Sequence, residues 1–242
     1  HTFFLIKKMD DHNSRTGCID ILHRLSKSQY PPRQNRGFTI VELIVVVLII
    51  GILAAIVAPG WVSFINRQRL RSSTDRAYQA MFKARRNAVR DKTGWQTTFQ
   101  ETTNSNGQIV IRYAVHQAAI APNNLPASTW EYLEPGIEID DNGRNDKGAY
   151  ETSLLIVNPE TNRITRSREN PMYRAVFNYR GCPVFYGSDL CTNGPGPKGQ
   201  ITLKHQTLDL PTRCAIISTV LGAMRKGEEH ATASRDTDKY CY

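Results

Sequence analysis

The sequence predicts an α+β fold: a long N-terminal α-helix, half transmembrane and half amphipathic, packed on an antiparallel β-sheet domain. Three observations carry this expectation. Leu43 to Ala58 is a run of sixteen residues with no charge and no hydrogen-bonding side chain. A basic stretch with apolar residues at helical spacing follows it directly. Beyond Gly94 the apolar runs shorten to strand length, with turn residues between them. Composition sets the outer bounds. With 242 residues, 40% hydrophobic, 16 Gly and 12 Pro, the chain is not collagen-like, low-complexity or wholly disordered. Its length suits one domain of roughly 150 residues with an appendage, or two small domains. The negative mean hydropathy of −0.42 excludes a polytopic membrane protein.

The apolar run extends back to Phe38 as twenty-one residues interrupted only by Thr39 and Glu42. As a helix it would span roughly 32 Å, about the hydrocarbon thickness of a bilayer. A buried helix of a soluble domain rarely lacks a polar face over four turns. A secretory signal has a shorter apolar region and a small-residue cleavage site after it, whereas this run continues into a charged helical pattern. Lys27, Arg33 and Arg36 precede the run, so residues 1–37 are expected on the cytoplasmic side of a membrane. The chain after about residue 62 is then expected to be exported, as a single pass with the N terminus inside. Glu42 is the anomaly, since a carboxylate at bilayer depth costs about 2.5–3.5 kcal/mol. Its place near the helix start softens that cost, but away from water it needs a cationic partner.

Arg36-Gly37-Phe38-Thr39-Ile40-Val41-Glu42-Leu43 closely resembles the prepilin peptidase site of type IV pilins and type II secretion pseudopilins. The resemblance implies cleavage after Gly37, N-methylation of Phe38, and Glu42 as the fifth residue of the mature chain. It also implies that Glu42 pairs with the terminal amine of a neighbouring subunit during filament assembly. The expected partners are prepilin peptidase, other pilin or pseudopilin subunits, and the inner membrane. Physical chemistry agrees: an amine and a carboxylate, each costly alone in an apolar bundle, neutralise one another between subunits. Gly51 and Pro59 match positions where pilin helices soften on assembly, which suits a residue of low helix propensity and one without a backbone donor. A leader of 37 residues is long for this family, and the chain begins at His1; a start at Met9 would leave 29 leader residues. The expected organisation is a cleaved leader at 1–37, an assembly helix at 38–61, an amphipathic helix at 62–93, a β-rich domain at 94–226 and a polar tail at 227–242.

Over residues 62–92, nine Lys and Arg oppose only Asp75 and Asp91. Ala77, Met81, Ala84 and Ala88 recur at helical spacing, with Tyr78 and Phe82 alongside, so a basic outer face backs a small-residue inner one. Gly after the last basic turn places the stop near Thr93-Gly94. Trp95–Phe99 and Ile109–Val115 flank Asn104-Ser-Asn-Gly107 as a hairpin. Further strands are expected at Gly136–Ile139, Ser153–Val157, Arg163–Thr165, Ala175–Tyr179, Gln200–Lys204 and Arg213–Val220. Gln117–Leu133 and Asp140–Lys147 read as loops.

Cys18 lies in the leader, leaving Cys182, Cys191, Cys214 and Cys241 in the mature chain. An even number in an exported domain favours disulfides, with three connectivities open. Close spacing favours Cys182–Cys191, and Cys214–Cys241 follows by elimination. With no CxxC, and with His116, His205 and His230 scattered, no metal site is expected.

The segments Gly199–Leu203, Arg213–Val220 and Gly222–Arg225 resemble the closing strands of the GspH/FimT group of minor pilins and pseudopilins. Some FimT-like members bind DNA through a Gly-Arg-x-Arg stretch. Here Ala223 replaces its first arginine, leaving Arg225 and Lys226 as candidate DNA contacts beside Glu228 and Glu229. Gly194–Gly199 formally fits GxGxxG, but its two prolines remove donors and forbid the following helix. The Asp140–Asp146 stretch misses EF-hand spacing and reads as an acidic turn. No catalytic constellation stands out, so neither enzymatic activity nor a cofactor is expected. The functional expectation is a minor type IV pilin-like subunit of a pilus or pseudopilus. A type II secretion minor pseudopilin and a pilus-tip DNA receptor are the alternatives.

Overall fold

The computed structural model of the chain describes residues 37–141, 150–191, 198–208 and 211–242, without the side chains of residues 56–59. The leader up to residue 36, most of the acidic turn, the Gly/Pro-rich loop at 194–197 and the Pro59 side chain lie outside the described residues. Helix α1 runs from Ile40 to Asp91. The chain divides into two compact units between Leu53 and Ala54. No single helix among the described residues is long and apolar enough to cross a membrane. Ile40–Ala55 and Gly60–Asp91 meet that requirement of length and composition only as a pair across the break between them.

In the second unit, Leu70, Ser73, Thr74, Ala77, Ala80, Met81, Ala84 and Ala88 of α1 are buried. Their three- and four-residue spacing makes one inward face. Four of the eight are alanines, which lets the helix axis lie close to the strands beneath it. The approach is near enough for Thr97 Oγ1 to donate to the Ala80 carbonyl at 3.0 Å. The last helical residue is Asp91, and Lys92 takes the left-handed conformation, φ 54°. The stop therefore falls just before the predicted Thr93-Gly94, with Lys92 in the conformation that glycine usually supplies after a helix.

Nine strands follow. They are β1 (Trp95–Thr103), β2 (Ile109–Gln117), β3 (Glu131–Tyr132), β4 (Ile137–Ile139), β5 (Leu155–Val157), β6 (Met172–Phe177), β7 (Gln200–His205), β8 (Arg213–Ile217) and β9 (Met224–Glu228). They form two antiparallel sheets instead of the single sheet expected, in the orders β3-β2-β1-β6-β5 and β4-β7-β8-β9. Both sheets share one core with α1. Phe99, Ile111, Tyr173 and Phe177 come from the first sheet, Ile201, Leu203, Ala215 and Ile217 from the second, and Leu70 and Met81 from the helix. Every residue of β6 is buried, because one face meets the core and the other lies under loops.

Several element boundaries differ from expectation. Arg163–Thr165 is not a strand; it contributes a single bridge, Ile164 to Val157. The strand expected at Ala175–Tyr179 starts earlier and stops at Phe177, because Asn178 Oδ1 accepts from the N–H groups of Arg180 and Cys182 and turns the chain. The strand expected at Arg213–Val220 ends at Ile217. A turn closed by Ser218 N–H to the Ala223 carbonyl then leads into β9, which the highly polar Met-Arg-Lys-Gly-Glu conceals. The loop from Gln117 to Leu133 holds two short 3-10 turns and β3.

Candidate functional site

The functional candidate begins where α1 begins. Gly37 to Thr39 are non-helical and Ile40 is the first helical residue. Thr39 caps the helix: its Oγ1 accepts the Glu42 N–H at 3.2 Å, and its carbonyl accepts the Leu43 N–H at 3.1 Å. Thr-x-x-Glu is the capping-box pattern, a signal present in the sequence but absent from the reading above. It places Glu42 in the first turn, where the positive end of the helix dipole favours a carboxylate. Among the described residues Glu42 has no ion-pair partner. Around it, Phe38 and the large apolar side chains from Ile40 to Leu53 expose between 46% and 80% of their surface. The exposure covers every side of the helix. A surface of this kind has a function in contact with something apolar, because water would not support it.

Comparisons with known proteins bear on this same segment. Residues 32–58 match the prokaryotic N-terminal methylation motif. The type IV major pilin protein PilA of Myxococcus xanthus (strain DK1622) is 42% identical over 65 residues, 27% of this chain and 29% of that protein. The N-terminal part of the chain is similar to a type IV pilin and carries the methylation motif. The architecture is α+β, a long N-terminal helix followed by antiparallel sheets. The chain spans about 29% of the length of the curated relative it matches, and no solved structure matches it. The likeness is to a structural subunit, not to an enzyme.

Other parts of this pilin-like chain bear on the site. Trp61 and Phe64 are exposed, with ring centroids 6.1 Å apart, and the basic stretch starts at Arg67. Aromatics followed by cations are the pattern expected where a helix leaves a bilayer. Gly51 is inside α1 with open space around its Cα. Cys182 bonds Cys191, and Cys214 bonds Cys241. The first bond closes the turn after β6. The second fastens the C-terminal tail to β8, reinforced by an antiparallel bridge between Glu229 and Cys241.

Arg225 and Lys226 are adjacent in sequence but project from opposite faces of β9, because side chains alternate along a strand. Lys226 turns under α1 and pairs with Asp75 at 2.7 Å. Arg225 projects from the outer face. The structure therefore does not bring these two candidate DNA contacts together.

A buried polar network on the outer face of the first sheet also escaped sequence reasoning, because its members are scattered along the chain. His116 donates from Nδ1 to the Gln117 carbonyl at 3.0 Å. That leaves Nε2 as acceptor for Thr98 Oγ1 at 3.1 Å and Gln96 Nε2 at 3.3 Å. Burial, with a smaller contribution from the Arg174 charge, pulls His116 down to about 4. Arg174, 1% exposed, donates to the Asn162 carbonyl, to Asn162 Oδ1 and to the Phe185 carbonyl. Desolvation lowers it to about 10. Its role is to hold two loops against the sheet.

Proposed function

We propose that this chain is a minor, GspH/FimT-type subunit of a type IV pilus-like filament, made as an inner-membrane precursor and processed between Gly37 and Phe38. The carrying observation is the bare apolar stretch of helix with one carboxylate, Glu42, set in its first turn without an ion-pair partner among the described residues. Cleavage after Gly37 would create an ammonium at Phe38. That ammonium, on a neighbouring copy, is the counter-ion Glu42 lacks. The globular domain would then face outward, its tail and turn locked by the two disulfides. Disulfides of this kind persist in an oxidising compartment. A type II secretion pseudopilin would use the same helix and the same processing.

Co-expression with a prepilin peptidase tests the reading. Wild type should lose residues 1–37 and carry a methylated Phe38 by mass spectrometry, while Gly37→Val stays at full length. Equal mass for both chains rejects processing.

One observation favours a second reading, reception of DNA. Arg76, Lys83, Arg86 and Arg90 line one side of a recess of about 590 Å³ between α1 and β2. Arg76 is paired with Glu134 and Arg90 with Asp91, whereas Lys83 and Arg86 have no ion pair among the described residues. That reading requires a salt-sensitive DNA mobility shift that is lost in the Lys83→Ala, Arg86→Ala double variant. Absence of a shift at low salt removes it.

A further inference from the structure

The outer face of the second sheet carries a basic recess separate from the helix. Strand register places Gln200, Ile216 and Arg225 side by side across β7, β8 and β9. The adjacent row, Ile201, Ala215 and Lys226, faces the core and α1. The disulfide-tethered tail covers one end of the outer face, where Cys214, Ile216 and Cys241 pack together. At the other end it leaves a cavity of about 380 Å³ whose polar lining is Ser153, Lys198, Ser218, Arg225, Thr237 and Lys239, with Gln200 at its floor.

Four properties of this cavity point one way. Three of its lining side chains are cationic, and no carboxylate among the described residues lines it. Lys198 and Arg225 are exposed, and neither has a hydrogen bond or ion pair among the described residues. Lys239 is 9% exposed, and its Nζ is held by neutral groups, the Glu151 carbonyl at 3.3 Å and Ser153 Oγ. The Glu151 carboxylate, whose charge also acts on Lys239, accepts from the backbone N–H groups of Tyr240 and Cys241. The Ser218 hydroxyl oxygen is buried and has no hydrogen-bond partner among the described residues. A buried hydroxyl without a hydrogen bond is a cost that a ligand oxygen removes, and charge-assisted bonds from guanidinium and ammonium are the strong ones.

We propose that this cavity binds a small tetrahedral oxyanion, either free phosphate or the terminal phosphate of a phosphomonoester. Guanidinium, ammonium and hydroxyl donors converge on it from different elements: β9, the segment before β7, the tail and the end of β8. A tetrahedral anion can accept from all of them at once, whereas a planar carboxylate offers only two oxygens. The position of Lys239 argues for a small ligand. A nearly buried ammonium within the tail is beyond the phosphates of a duplex, which lie on a convex cylinder. The site is independent of the filament role proposed above, since none of its residues belongs to α1.

Calorimetric titration of the full chain in detergent with inorganic phosphate, against chloride at matched ionic strength, tests the assignment. Saturable binding is expected, weakened about tenfold or more by Arg225→Gln, a change at an exposed side chain without bonds that leaves the fold intact. Lys226→Gln, on the neighbouring residue but the opposite face, should keep wild-type affinity. An adenosine monophosphate competitor that displaces phosphate assigns a phosphomonoester, and one that does not assigns the free ion. Three results would each overturn the proposal: no saturable heat at millimolar phosphate, equal losses in Arg225→Gln and Lys226→Gln, or competition by an unphosphorylated DNA duplex as strong as that by phosphate.

Discussion

His116 shows how one side chain records its surroundings. It is held at about 4, well below the 6.5 of a free imidazole, because burial disfavours the imidazolium more than the Gln117 carbonyl supports it. Between those two values the unfolded chain binds a proton that the folded chain refuses. Its stabilising contribution is therefore complete above pH 6.5 and falls away as pH drops toward 4. A depression of that size corresponds to on the order of 3 kcal/mol. Urea unfolding at pH 7 and at pH 4.5 should show most of that loss, and His116→Gln should flatten the difference; an equal slope in the variant would count against the assignment. None of this was legible in the sequence. His116 read as one of three scattered histidines, because its partners Gln96, Thr98 and Arg174 come from other strands. Cys182–Cys191 was legible, since its nine-residue separation is itself a constraint. For Arg225 and Lys226 sequence adjacency was misleading, because only the strand assignment shows that they point apart.

Among the elements, α1 was the most legible and β9 the least. A helical period of small residues announces its buried face without any tertiary information, and Ala77, Met81, Ala84 and Ala88 are indeed fully buried. That packing predicts a cost for any larger side chain. Ala84→Leu should lower stability by about 1–3 kcal/mol in denaturant unfolding, whereas Lys83→Leu on the exposed face should change it little. Strand β9 has no apolar alternation to detect. It is fixed by its register with β8 and by the turn before it, where Gly222 has φ 77° and a Cβ would lie 2.2 Å from the Gly181 carbonyl oxygen. The two disulfides differ as elements do, by the length of chain they close. Chain-entropy arithmetic gives about 2.6 kcal/mol for a separation of 9 residues and about 3.6 kcal/mol for 27. Replacing Cys214 and Cys241 by serine should therefore lower stability by about 1 kcal/mol more than replacing Cys182 and Cys191, compared by urea unfolding under oxidising conditions.

At the scale of the whole molecule the two units differ in how much apolar surface they cover. The residues from Ala54 onward enclose an apolar core drawn from the helix and both sheets. The first part of α1 encloses nothing, and its stability must come from lipid or from other helices. Glu42 separates those two environments. In a bilayer a carboxylate near the helix start is held at the interface and costs little, so Glu42→Ala should leave membrane insertion and leader cleavage intact. In a bundle of helices the same carboxylate is withdrawn from water and must find a cation, and under the proposed processing the amine at Phe38 of a neighbouring copy would be that group. Glu42→Ala should therefore accumulate as processed, methylated subunit in the membrane fraction. Its share of sheared filaments should fall at least about tenfold, the scale of one lost pair in an apolar setting. Glu42→Gln, which keeps size and hydrogen bonding but not charge, separates charge from packing. If Glu42→Gln enters filaments as wild type does while Glu42→Ala fails, packing and hydrogen bonding carry assembly. If both enter normally, the carboxylate has no part in it and the assembly reading of this helix falls.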